Sequence, residues 1–138
     1  MAKILVVDDE SKFRDIIKER LIKEGYEVET AIDGEEGLNK AKVITPDLII
    51  CDMKMPKMDG FELLKDLRKK ENMATPFIML TSIDDFDNIQ TAYEHEANFY
   101  ITKPVVYAKL FESTKLLDNI RVLLSFPTEK DSSQKKDI

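Results

Sequence analysis

A single cysteine, Cys51, occurs in the 138 residues, so no intrachain disulfide can form. Set in the apolar run Leu48-Ile49-Ile50-Cys51, it reads as a small buried hydrophobe in a reducing compartment. Histidine is as scarce: His95 stands alone, late in a predicted surface helix, where a solvated side chain is the ordinary reading. Long apolar runs are missing too. The N-terminal run ends at Asp8 after too few residues for a signal peptide or a membrane span, and no later segment does better. A soluble, cytoplasmic chain with no membrane partner is expected. Basic excess is also lacking: 21 Lys and Arg against 27 Asp and Glu leave a formal net charge of -6, so no direct nucleic-acid contact is expected. No Ser/Gly-rich linker or internal repeat interrupts residues 1–126, which therefore read as one domain. Residues 127–138 carry almost nothing apolar and are expected to form a disordered tail.

What is present is a regular alternation. Ile4-Leu5-Val6-Val7, Leu48-Ile49-Ile50-Cys51, Phe77 to Leu80 and Phe99 to Ile101 are short apolar runs bounded by polar residues or proline, the pattern of buried strands. Tyr26-Glu27-Val28-Glu29-Thr30-Ala31 alternates instead, as a strand near a sheet edge does. Helical patterns fill the intervals. Phe13, Ile16, Ile17 and Leu21 share a face after a Ser11 cap, and Gly25 offers a stop. Asp33 caps a helix to about Val43, and Asp59 caps one to about Glu71 with Phe61, Leu64 and Leu67 inward. Asp84 or Asp85 caps one to about His95, and a long helix follows Pro104. Strands alternating with helices require parallel pairing through right-handed crossovers. The expected fold class is therefore α/β, a doubly wound five-stranded parallel sheet with helices on both faces.

In such sheets ligands gather at the carboxyl ends of the strands. Asp8-Asp9-Glu10 ends the first strand, Asp52 the third, Thr81-Ser82 the fourth and Thr102-Lys103-Pro104 the fifth. Converging aspartates repel unless a hard cation or a protonated carboxyl relieves them, and oxygen-only ligation with room for water and phosphate suits Mg²⁺. Lys103 adds a point positive charge and Thr81 a hydroxyl, a set that complements a phosphoryl group. Asp52 is the candidate nucleophile, since a carboxylate can form an aspartyl phosphate while the Asp8-Asp9 pair is better placed to hold metal.

Ile4-Leu5-Val6-Val7-Asp8-Asp9-Glu10, Asp52-Met53-Lys54-Met55-Pro56-Lys57-Met58-Asp59-Gly60, Leu80-Thr81-Ser82 and Tyr100-Ile101-Thr102-Lys103-Pro104 together resemble bacterial two-component response-regulator receiver domains of the chemotaxis-regulator kind. Any one fragment is weak, but all four in order on the right strand ends are jointly specific. The resemblance covers about residues 3–124 and implies a flavodoxin-like strand order of 2-1-3-4-5. It implies Mg²⁺ held by Asp9, Asp52 and the Lys54 carbonyl, with Asp8 acting mainly through water. It also implies Lys103 and Thr81 on the phosphoryl group, a cis peptide between Lys103 and Pro104, and a switch in which Tyr100 rotates as Thr81 moves. The implied donor is a histidine kinase or phosphotransfer protein. The implied receiver of the signal is a downstream protein target or output domain, read from residues 87–95, 98–101 and 106–115.

Departures and rivals bound that reading. Glu96-Ala97 stands where relatives carry Gly-Ala, Val105 where Phe is common, and Lys54 and Ile83 occupy positions that in relatives flank the phosphate. The stripe Val106, Leu110, Leu117, Ile120, Leu124 suggests an extended last helix whose distal turns meet a partner or a second copy, so a homodimer is one expected assembly. An aspartyl-intermediate phosphatase would want an acid where Lys54 stands. A flavin or dinucleotide carrier would want a phosphate-cradling loop where Asp8-Asp9-Glu10 repels anions. Met53, Met55 and Met58 are packing residues rather than soft-metal ligands, and Tyr100 could be plain packing.

Overall fold

Along β1 (Lys3–Val7) the side chains of Ile4 and Val6 enter one apolar cluster and those of Leu5 and Val7 another, because successive residues of a strand point to opposite faces. Both faces of the sheet are therefore covered, which explains the continuous apolar run. The structure is a computed structural model, and it describes residues 1–82 and 97–125. The order of elements is β1, α1 (Ser11–Lys23), β2 (Glu27–Ala31), α2 (Gly34–Ile44), β3 (Leu48–Asp52), α3 (Gly60–Lys69), β4 (Phe77–Thr81) and β5 (Phe99–Thr102). A 3-10 turn (Tyr107–Lys109), a single helical turn (Leu110–Ser113) and a C-terminal helix (Leu116–Ser125) complete it. The sheet is parallel with order β2-β1-β3-β4-β5, as expected. The helix predicted up to His95 and the tail over 127–138 lie outside the described residues.

One face packs α1 and the C-terminal helix over Ile4, Val6, Ile50, Ile78 and Leu80 through Phe13, Ile17, Leu21, Leu116, Ile120 and Leu123. The opposite face packs α2 and α3 through Ala41, Leu63, Leu64 and Leu67. Phe61, expected inward, is only half-buried, and Leu63 is the residue fully enclosed beside Leu64. β2 lies on the edge and buries only Ala31 completely, which accounts for its alternating pattern.

Cap chemistry sets the helix starts. Asp33 and Asp59 accept the N–H of Glu36 and Glu62, and Glu62 returns a bond to the Asp59 backbone, closing a capping box. The Ser11 cap does not form: Ser11 is the first helical residue and Glu10 stands at the cap with no side-chain cap bond. Gly25, at φ +95, turns the chain out of α1 into β2. The long last helix is also corrected. Thr114 is extended (φ -127, ψ 171), and its hydroxyl both bonds the Leu110 carbonyl and accepts the N–H of Leu116 at 3.3 Å. The Ser113 hydroxyl likewise bonds the Lys109 carbonyl. These hydroxyls compete with the helical ladder and split it. The break rotates the buried stripe, so Leu116, Ile120 and Leu123 face the core while Leu117 and Leu124 are half-buried and Val106 is exposed.

Candidate functional site

The strand ends meet in one crevice because their registers end level. Val7 pairs with Cys51, Asp52 with Leu80 and Thr81 with Thr102. Asp8 continues β1 by donating its N–H to the Ala31 carbonyl, and Lys103 continues β5 by donating its N–H to the Thr81 carbonyl at 2.7 Å. Asp8, Asp52 and Thr81 are all buried, unusual for such side chains unless they are paired or ligating.

Lys103 organises the centre. Its Nζ lies 3.0 Å from Asp8 Oδ2, 3.2 Å from Asp52 Oδ2 and 3.2 Å from Glu10 Oε1. It also rests 4.4 Å above the Phe13 ring. Burial by itself would lower the Lys103 pKa, but Asp8, Asp52 and Glu10 outweigh it and hold the ammonium above its ordinary value. Burial raises the Asp8 carboxyl against the pull of Lys103. Burial, reinforced by the Asp8 charge, pushes Asp52 up to about 7. One lysine therefore does not neutralise this crevice.

Among the described residues Asp8, Asp9, Glu10 and Asp52 can each offer a carboxylate oxygen, and these oxygens lie within 4.8 Å of one another. Asp8 Oδ2 is fully enclosed and, despite its ion pair with Lys103, has no aligned hydrogen bond. A buried carboxylate oxygen held only by an ion pair, beside the carboxylates of Asp9, Glu10 and Asp52, is part of a donor set for a hard cation. The residues fit Mg²⁺, with Asp9 exposed at the mouth of the crevice.

The loop after β3 is shaped by close approach. The Gly60 N–H meets the Met53 carbonyl at 2.8 Å, and a Cβ on Gly60 would stand 2.5 Å from the Asp52 carbonyl oxygen. Lys57 adopts φ 67 between Pro56 and Met58, and the Met58 N–H bonds the Pro56 carbonyl. Lys54 lies exposed in this loop, two residues past Asp52. Met53 is buried, and Met55 and Met58 pack on the core, which agrees with their reading as packing residues. The Cys51 thiol is enclosed and its pKa driven well up by burial, the inert reading expected of it.

The structure thus brings Asp8, Asp9, Asp52, Thr81 and Lys103 to one end of the sheet. Tyr100 packs on the α2–α3 face with its hydroxyl out of solvent. The cis peptide expected between Lys103 and Pro104 is corrected: no described peptide bond is cis. The trans preference of an X-Pro bond is small but real, and the trans chain already delivers Nζ to the carboxylates. Glu10 stands in the strand-end motif read from sequence but was given no role of its own there, and Tyr107 was not singled out. The Tyr107 hydroxyl donates to Glu10 Oε2 at 2.8 Å, and its ring packs tilted at 41° against Phe13 with centroids 4.0 Å apart. That bond, assisted by Lys103, lowers the Glu10 carboxyl, and reciprocally raises the Tyr107 phenol. No local signal marks a pairing across 97 positions.

A doubly wound parallel sheet that carries an acidic crevice, a strand-end carboxyl and a converging lysine defines the class of phosphoryl-accepting signalling switches. The chain belongs to the response regulator receiver domain family, whose model matches residues 4–115. It is 47% identical over 103 residues to the alkaline phosphatase synthesis transcriptional regulatory protein PhoP of Bacillus subtilis, covering 74% of this chain and 42% of that protein. It is 43% identical over 122 residues to the probable transcriptional regulator ycf27 of Cyanophora paradoxa, covering 88% and 48%. Among solved structures, chemotaxis protein CheY4 of Vibrio cholerae matches with a TM-score of 0.76 at 36% identity, over 89% of this chain and 98% of that one. Response regulator TrrA of Thermotoga maritima, solved in complex with Mg(2+)-BeF, matches with a TM-score of 0.74 at 34% identity, over 89% and 99%. The chain spans less than half the length of these two curated relatives. The expectation of no direct nucleic-acid contact is accordingly confined to this acidic domain and does not extend to a longer protein. No described helix is long and apolar enough to cross a membrane.

Proposed function

We propose that Asp52 accepts a phosphoryl group from the phosphohistidine of a histidine kinase or phosphotransfer protein. An Asp52 oxygen forms the new bond to phosphorus as the bond to the donor imidazole nitrogen breaks, the nitrogen keeping the electron pair. The single observation that carries this reading is Lys103 Nζ held 3.0 and 3.2 Å from Asp8 and Asp52 at the carboxyl end of the sheet. Asp9, Asp52 and the Lys54 carbonyl would hold Mg²⁺, with Asp8 acting mainly through water, and the ion when bound would offset charge on the phosphoryl oxygens. Lys103 and Thr81 contact those oxygens, and Thr81 and Tyr100 carry the change to the β5 face. The phosphorylated arrangement is favoured only by its differential affinity for phosphoryl group and metal, and a target that prefers it favours phosphorylation in return. The same residues catalyse hydrolysis of the aspartyl phosphate. The target is a protein or an attached output domain, and the setting is cytoplasmic.

Intact mass after incubation with a small acyl phosphate tests the assignment on the native chain and Asp52→Asn in parallel. A Mg²⁺-dependent, hydroxylamine-labile gain of one phosphoryl group in the native chain alone is expected. Equal gain in the variant, or gain without Mg²⁺, would overturn the nucleophile or the metal set.

A further inference from the structure

Lys103 has more carboxylate partners than phosphoryl chemistry requires. Asp8 and Asp52 belong to the crevice itself, whereas Glu10 stands at its rim, its side chain 43% exposed, and still holds Nζ at 3.2 Å. A side chain that exposed gains little from an isolated ion pair and is ordinarily free to swing into water. Here it is pinned, because its other oxygen accepts the Tyr107 hydroxyl at 2.8 Å. Tyr107 is fixed in turn by its ring against Phe13, at 4.0 Å between centroids, and Phe13 is the buried α1 residue over which Nζ sits. Lysine, glutamate, tyrosine and phenylalanine thus close a ring joining α1, the end of β5 and the 3-10 turn that leads into fully buried Leu110.

A phosphoryl group on Asp52 would bring new anionic oxygens to Nζ, and the ammonium has three N–H donors to share. Of its present partners, Glu10 is the one whose loss leaves no buried charge behind. We propose that Glu10 and Tyr107 are positioning residues: from the rim they hold one side of the Lys103 ammonium in the resting chain and release it on phosphorylation, so that loss of the Glu10–Tyr107 bond reports occupancy of Asp52 to residues 105–110. This rests on Asp52 being the phosphoacceptor. Tyr107 touches no reacting atom and acts through Glu10, and Glu10 acts through Lys103.

The experiment compares the native chain, Tyr107→Phe, Glu10→Gln and the double variant with a small acyl phosphate and Mg²⁺. Tyr107→Phe removes one hydroxyl and keeps the ring on Phe13, so it preserves fold and net charge. Its kcat/KM for phosphorylation is expected to rise roughly 3- to 10-fold, the factor one ordinary hydrogen bond represents. Glu10→Gln should match or exceed it, and the double variant should rise no further than Glu10→Gln because both act through one contact. In chain carrying ¹³C-labelled tyrosine, the Tyr107 ring signal, assigned by its loss in Tyr107→Phe, should shift when Mg²⁺ and beryllofluoride are added to the native chain. In Glu10→Gln it should already be displaced in that direction. An unchanged rate in Tyr107→Phe, additive effects in the double variant, or an unmoved Tyr107 signal on loading would each overturn the proposal while leaving Asp52 as acceptor. A native chain that neither gains phosphoryl mass nor binds beryllofluoride would overturn the acceptor reading and the positioning role with it.

Discussion

Replacing Asp52 with asparagine should stabilise the cation-free chain even though it discards an ion pair. Asp52 is 6% exposed, and burial together with the Asp8 charge outweighs Lys103 and lifts its carboxyl from 3.8 to about 7. Each pKa unit is worth about 1.4 kcal/mol, so carrying the ionised form costs the folded chain at most roughly 4 kcal/mol, which a neutral amide avoids. Water reaching the open mouth beside Asp9 softens that burial and brings the expected gain to about 2 kcal/mol, or roughly 5–10 °C in Tm for a chain of this size. A carboxyl raised in the folded state keeps a proton the unfolded chain has already lost, so native stability falls as pH climbs from 3.8 to about 7 and then levels. The advantage of asparagine should therefore be small near the lower value, grow through that window and flatten above it. Urea unfolding with a chelator present, at several pH values across the window, measures this. An advantage that shrinks with rising pH, or none at all, would refute the claim that the crevice is under-neutralised.

Two further outcomes follow from the same geometry. Mg²⁺ must displace the Asp52 proton, so its apparent affinity should climb up to about tenfold per pH unit below about 7 and flatten above, with proton release visible by calorimetry in two buffers; equal affinity on both sides of that value would sink the idea. Gly60→Ala puts a Cβ 2.5 Å from the Asp52 carbonyl oxygen and 2.8 Å from Met79 Sδ, so a loss of about 2 kcal/mol and slower phosphorylation are expected, checked by denaturation and intact mass.

The five strands and their sheet were legible because burial on both faces leaves short continuous apolar runs that stand out in the sequence, and the edge strand β2 declared itself through its polar alternation. The crevice residues were legible because strand-end chemistry is local. What was not legible depended on contacts distant in sequence or on competition between local bonds. The split in the last helix turns on the hydroxyls of Ser113 and Thr114 choosing carbonyls four residues back, which an apolar stripe cannot reveal. Ser11 yielded the cap position to Glu10, a residue whose carboxylate is engaged by Lys103 and Tyr107 instead of the helix start. Glu10 itself looks in sequence like an ordinary solvated acid trailing an aspartate pair.

The level registers of the strands make the molecule a ruler with one graduated end. Each strand residue advances about 3.3 Å and turns the next side chain to the opposite face. An inserted or deleted residue within β1, β3, β4 or β5 would thus swing Asp8, Asp52, Thr81 or Lys103 out of the crevice rather than merely shift it. The connections at the opposite, amino-terminal ends of the strands, such as the turn holding Asn72 ahead of β4, bear no such constraint on the crevice. Length variation among descendants of this chain should accumulate there, and engineered inserts should be tolerated there first.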